Sequence, residues 1–194
     1  MIEPVYMAKK LTPSHTWLQT TAVRLTRIHF LYVAAYLVSI VIFDASNLYT
    51  HQAISQLWTA GGILMALSVV LWFAARLKAS SYWYYVGIIL ALIAVDIIFA
   101  AFIVYWQRGL YSKAVFLFTV PIITAAAVRS RSILLGTTAL CAAAYSTVAV
   151  RYFFDHYGLG YRVELWGNVA FFSAMFFVLA FLLMIIIRPT EEKF

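Results

Sequence analysis

An all-α, polytopic bundle of six transmembrane helices, with both termini on the cytoplasmic side, is the fold class this sequence predicts. Three observations carry that reading. Six apolar runs, Ile28–Phe43, Leu57–Ala75, Trp83–Val104, Ala114–Val128, Ile133–Val150 and Val169–Ile187, follow one another with short polar breaks. The 194 residues are 65% hydrophobic and only 11% charged, with a mean hydropathy of +0.92, more apolar surface than a soluble core of this size can hide. The basic residues also alternate in side. Lys9, Lys10, Arg24, Arg27, Arg76, Lys78, Arg129, Arg131, Arg188 and Lys193 flank the runs on the side of the N-terminus, and Arg108, Lys113, Arg151 and Arg162 flank them on the other. Lys and Arg are retained in short cytoplasmic loops, so the richer side is the inner one. Membrane orientation thus explains most of the formal net charge of +7, and the basic balance does not point to nucleic acid.

Crossing roughly 30 Å of hydrocarbon takes about 20 helical residues, with about 17 near the lower limit. Residues 1–27 lack the charged, apolar and small-residue regions of a cleaved signal peptide. With Trp17, Leu18, Val23 and Leu25 set among basic residues, they read as a cytoplasmic or interfacial lead-in. Residues 28–187 form the transmembrane domain. Its first run is short, but Arg24 and Arg27 can snorkel to the headgroups and Ala45–Tyr49 can extend the helix outward. The second, third, fifth and sixth runs are long enough. The fourth is short and carries Pro121 mid-run, where a proline breaks the helical ladder; it is read as spanning, with a re-entrant hairpin as the alternative. In the fifth, small residues four apart, Ala139 with Ala143 and Ala142 with Ser146, predict close helix packing, within the chain or against a second protomer. Residues 188–194 form a short cytoplasmic tail.

Candidate chemistry is sparse. Asp96 is the acidic residue well inside a span, and a carboxylate there must be neutral, paired or beside water; it is a candidate ligand or ion-coupling residue, or else it bonds a hydroxyl such as Thr137, Thr138 or Tyr36. Pro121 and Asp96 are the candidate pivots of a conformational change. The outer connections are rich in aromatic residues, as an interfacial belt requires, and Asp155, His156, Arg162 and Glu164 among them could line an outward pocket. His29 falls near the cytoplasmic end of the first run, His15 precedes it, and His51 and His156 lie outside; this spacing supports neither a haem nor a metal centre. The lone Cys141 lies in an apolar run and reads as a packing residue. Because all five lysines lie outside the spans or at their edges, no retinal-type Schiff base is expected. Without a GxSxG, HExxH, P-loop or CxxC pattern, neither catalytic residues nor a cofactor are expected.

The stretch Gly109–Gly136 orders Gly109, Ser112, then Pro121, Ile122, Ile123, Ala125 and Ala126, then Arg129 and Arg131. This pattern resembles the fourth helix and following turn in the six-helix input domains of PilS-type bacterial sensor histidine kinases. The resemblance implies a non-enzymatic sensory or regulatory module of a bacterial inner membrane, passing a ligand, lipid or membrane-state signal to a cytoplasmic partner or within a homodimer. The sequence departs from that family after the sixth run, where Arg188–Phe194 carry no phospho-accepting histidine. The alternatives are a small transport component, such as a substrate-binding membrane subunit, and a structural subunit of a membrane complex.

Overall fold

The structure is a computed structural model that describes residues 13–79, 81–107, 109, 112–156 and 162–187, with backbone alone for 13–16 and 162. Among the described residues all regular structure is helical: α1 (Pro13–Ala45), α2 (His51–Arg76), α3 (Tyr82–Trp106), a 3₁₀ turn (Lys113–Phe118) running into α4 (Thr119–Ala126), α5 (Arg131–His156) and α6 (Arg162–Ile186). Five helical stretches, Trp17–Ala45, His51–Arg76, Tyr82–Trp106, Arg131–His156 and Val163–Ile186, are long and apolar enough to cross a membrane.

Two features differ from the sequence reading. The first is the start of α1, which runs unbroken from Pro13, so residues 13–27 are helical and continuous with the first apolar run. Leu18, Ala22, Thr26, His29, Val33, Tyr36 and Ile40 are all buried at steps of three or four, which is one face of a helix. Arg24 and Arg27 point away from that face and are exposed. The burial stripe therefore starts ten residues earlier than the apolar run, because a polar residue off the stripe interrupts hydropathy without interrupting packing.

The second difference is the fourth run, which is a helix of mixed type only 14 residues long, Lys113–Ala126. Ser112 caps it, its hydroxyl accepting the Ala114 N–H at 3.0 Å. Pro121 falls in the first turn of α4, the place where its missing N–H is tolerated, and that is where the 3₁₀ turn gives way to α-helix. The steeper 3₁₀ rise lets these residues cover roughly 24 Å. At its C-terminal end Arg129 takes a left-handed conformation, φ 59°, and stops α4 before Ser130 caps α5.

Neighbouring contacts give the helix directions. Tyr36 of α1 packs edge-on against Phe99 of α3 at 4.8 Å and His29 meets Asp96, so α1 and α3 run the same way, with α2 returning between them. The Tyr105 hydroxyl at the end of α3 donates to Asp155 at the end of α5 at 2.9 Å, so these two also run in parallel. The 3₁₀–α4 segment begins beside Gly109, which lies against Tyr152, and ends where Ala126, Arg131 and Ile187 share a small cleft. It thus joins one end of the bundle to the other. Helix α3 is the hub, touching α1, α2, α4, the 3₁₀ turn and α5, and half of its span is buried against 17% for α6.

Close packing is local. A Cβ on Gly61 would sit 2.7 Å from Leu37 Cδ2 and 3.2 Å from Tyr36 Cε1, so glycine lets α1 and α2 approach. The small-residue pairs of α5 divide. Ala142 is buried and Ser146 half-buried, whereas Ala139 and Ala143 are exposed among the described residues. The face of α5 that packs carries Leu134, Thr138, Cys141, Tyr145, Ala149 and Phe153, with Phe118, Phe172 and Phe176 ringed about Tyr145 at 5.5–6.2 Å.

Candidate functional site

The packing stripes of α1, α2 and α3 each admit one strongly polar residue, and the three meet at one point. On α2 the stripe is Ile54, Leu57, Gly61, Leu64, Ser68 and Ala75; on α3 it passes through Tyr85, Ile89, Leu92, Asp96, Phe99 and Ile103. His29, Ser68 and Asp96 are 4%, 2% and 0% exposed. His29 Nε2 lies 2.7 Å from Asp96 Oδ1, and His29 Nδ1 lies 2.9 Å from Ser68 Oγ. One imidazole therefore bridges three helices.

The direction of each bond follows from the donors at hand. Ser68 Oγ is 2.6 Å from the Leu64 carbonyl and donates its one proton there. It is left an acceptor towards His29, so Nδ1 carries a hydrogen and donates. On the other side of the ring a single proton serves Nε2 and Oδ1, either as an imidazolium beside a carboxylate or as a carboxyl donating to a neutral ring. Both arrangements leave the pair without net charge, which is what a low-dielectric interior demands. Asp96 Oδ2 and the Tyr32 hydroxyl are buried with no hydrogen-bond partner among the described residues. The Tyr32 ring stands 5.3 Å from that of His29.

Ser, His and Asp are also the residue types of a hydrolase triad, but this arrangement presents no nucleophile. The serine proton is on a backbone carbonyl, and none of the described cavities is lined by Ser68, His29 or Asp96. Its chemistry is that of a buried hydrogen-bond chain whose geometry depends on three helices staying in register.

The residues expected to form one outward site lie apart from Asp96. Asp155 and His156 are at the far end of α5, beside Tyr105, which is nine residues or roughly 14 Å of helix along α3 from Asp96. His156 stacks on Tyr152 at 4.1 Å and 14°, and its Nδ1 lies 3.0 Å from the Tyr152 carbonyl. Asp155 accepts from Tyr105 and lies 3.9 Å from Arg151 Nε. Glu164 is exposed in the first turn of α6, and the Arg162 side chain lies outside the described residues. Pro121 is buried in the first turn of α4 and has no part in the hydrogen bonds of the polar chain. Among the described residues no cluster of three or more His, Cys, Asp or Glu could hold a metal ion.

The partner of Asp96 is therefore His29, not Thr137, Thr138 or Tyr36. Thr138 donates to the Leu134 carbonyl at 2.8 Å, and Tyr36 to that of Leu57 at 3.5 Å. In the apolar run Ile28–Phe43, His29 is next to the edge. With α1 spanning 13–45, it is the middle residue of the helix. The signal in the sequence was the spacing of Leu18, Ala22, Thr26, His29, Val33 and Tyr36, which places His29 on the buried face. Comparison of the chain with protein-family models, with curated proteins and with solved structures returned no match.

Proposed function

We propose that this chain is a non-enzymatic sensory or regulatory module of a bacterial inner membrane, crossing it six times with both termini cytoplasmic. In this reading the His29–Asp96–Ser68 chain is a latch that holds α1, α2 and α3 in one of two packings. The observation that carries it is the His29 Nε2 to Asp96 Oδ1 contact at 2.7 Å, buried mid-bundle and closed to solvent. A switch needs two arrangements of nearly equal free energy, biased by an input. A buried pair that is strong when aligned and costly when parted supplies such a choice, because its partners sit on different helices. Six crossings are supported by the 3₁₀–α4 segment, which leads from the Tyr152 end to the Arg131 end, and the orientation by the bias of Lys and Arg. The resemblance of Gly109–Gly136 to PilS-type input domains supports a signal handed to a cytoplasmic partner.

The test is a pair of spin labels on exposed positions of α1 and α3, Leu31 and Ile98, in the full chain reconstituted in bilayers. A single distance distribution is expected for the native latch, and a broadened or two-peaked one for Asp96→Asn. Identical distributions would remove the latch from the mechanism.

A further inference from the structure

We propose that the outer face of α3 binds one anionic two-chain phospholipid, with a tail on either side of a ridge and the headgroup phosphate on Arg151. The ridge is Ile98, Phe102 and Trp106, four residues apart on one face of α3, with Ile98 and Phe102 more than half exposed. Phe102 and Trp106 rest on each other at 5.5 Å. Two grooves flank this ridge and share its three residues. One, of about 250 Å³, lies between α2 and α3 and runs inward to Leu64, Leu67 and Val95. The other, of about 360 Å³, lies between α3 and α5 against Ala101 and Val148, and ends at Tyr105 and Arg151.

The occupant follows from chemistry and position. Both grooves lie along stretches apolar enough to span the bilayer, so what fills them comes from the bilayer. Their walls are largely apolar, and at the end of the α3–α5 groove Arg151, the one cation among the described residues that line either groove, stands with its side chain 77% exposed beside Tyr105 and Trp106, ring types that settle at headgroup depth. Asp155 forms only a long, exposed ion pair with it. Its Oδ2 is 3.9 Å from Arg151 Nε, beyond hydrogen-bond length, and already accepts the Tyr105 hydroxyl at 2.9 Å. A guanidinium at that depth matches the geometry of a phosphate. Two apolar grooves that share the ridge up to Trp106, one of them ending at Arg151, have the form of two acyl chains leading to one headgroup. The inner tail ends beside Leu64, whose carbonyl accepts the Ser68 hydroxyl. The binding site nonetheless stands or falls independently of any role for the latch.

The experiment is native mass spectrometry of the full chain in detergent, titrated with phosphatidylglycerol and with phosphatidylcholine of matched acyl chains. One phosphatidylglycerol should be retained per chain with about fivefold preference, the ratio expected of one basic residue at a membrane surface. Arg151→Gln should lower it to the phosphatidylcholine level, and Arg151→Lys should keep most of the preference. Ala101→Trp, which fills the α3–α5 groove, should reduce retention of both lipids. Circular dichroism on each variant reports whether the helices are intact. Equal retention of the two lipids, a preference that survives Arg151→Gln, or retention unchanged by Ala101→Trp in folded protein would overturn the proposal.

Discussion

His29 and Asp96, 67 residues apart in sequence, face each other at 2.7 Å across the middle of the bundle, each almost fully buried. Removing one partner strands the other in an apolar interior. Asp96→Leu is therefore expected to destabilise the chain by roughly 1–3 kcal/mol. The double variant His29→Leu with Asp96→Leu leaves only Ser68 of the chain, and that residue keeps its bond to Leu64. The double should thus be more stable than the sum of the singles, by on the order of 0.5–3 kcal/mol. Reversible unfolding in mixed micelles measures this cycle, and additive effects would show that the two side chains do not interact.

Gly61 makes a sharper packing prediction because its neighbour is a control. A Cβ there meets Leu37 and Tyr36, whereas one on Gly62 meets nothing within 4 Å. Gly61→Leu forces α1 and α2 apart and should cost about 1–3 kcal/mol by overpacking. Gly62→Ala should be neutral or slightly stabilising, since glycine inside a helix is itself unfavourable. Thermal unfolding of the two variants side by side distinguishes a close approach from a general intolerance of side chains in α2.

The reach of the sequence can be judged from the same residues. Asp96 stood out because a carboxylate in an apolar run has no cheap explanation, and α3 was plain as a span because Trp83–Val104 is apolar but for that one carboxylate. His29 and Ser68 did not stand out, since a histidine at the edge of a run and a serine within one are each unremarkable. Only tertiary contact turns them into partners, and the three stripes that bring them together run through polar positions such as Thr26 that hydropathy discounts. The fourth run failed as a regular span because Pro121 allows two helix types in sequence, and run length does not reveal how steeply each residue rises. Of the expected outer residues, Asp155 and His156 lie together at the end of α5, turned to Tyr105 and Tyr152, contacts between aromatic and polar side chains that run length and hydropathy do not register.

Gly109 combines two constraints. Its φ of +55° is one that side-chain-bearing residues rarely adopt, and an added Cβ would lie 2.5–2.7 Å from Tyr152. Gly109→Ala should cost about 1 kcal/mol from the backbone alone, with the clash added. Tyr152→Ala in the same chain removes the ring contacts at 2.5 Å and leaves the backbone term and the contact with the Tyr152 Cβ at 2.7 Å. Partial rescue of the melting temperature by that second change is expected. No rescue would mean that the ring of Tyr152 is not what limits the position.

Cys141 is fully buried on the packed face of α5. A thiol enclosed in this way should be inert. A membrane-permeant maleimide should label it very slowly in the native chain and quickly once the bundle is unfolded in SDS. Labelling rates equal in the two states would mean that α5 does not pack through the Leu134–Cys141–Tyr145 face.

Whether α5 follows α3 in the same direction is the point on which the number of crossings turns. A re-entrant fourth segment would return the chain to the side it left, and α5 would then run opposite to α3. The bond between Tyr105 and Asp155, each near the C-terminal end of its helix, requires the two helices to be parallel. The 3₁₀ turn supports this by lengthening a 14-residue segment to roughly 24 Å. In a Cys141→Ser background, single cysteines at Leu48 and at Ser132, both exposed, should therefore face opposite sides of the membrane. An impermeant maleimide added to intact cells should label Leu48→Cys and spare Ser132→Cys until the membrane is opened. Labelling of both from outside would overturn the six-crossing topology.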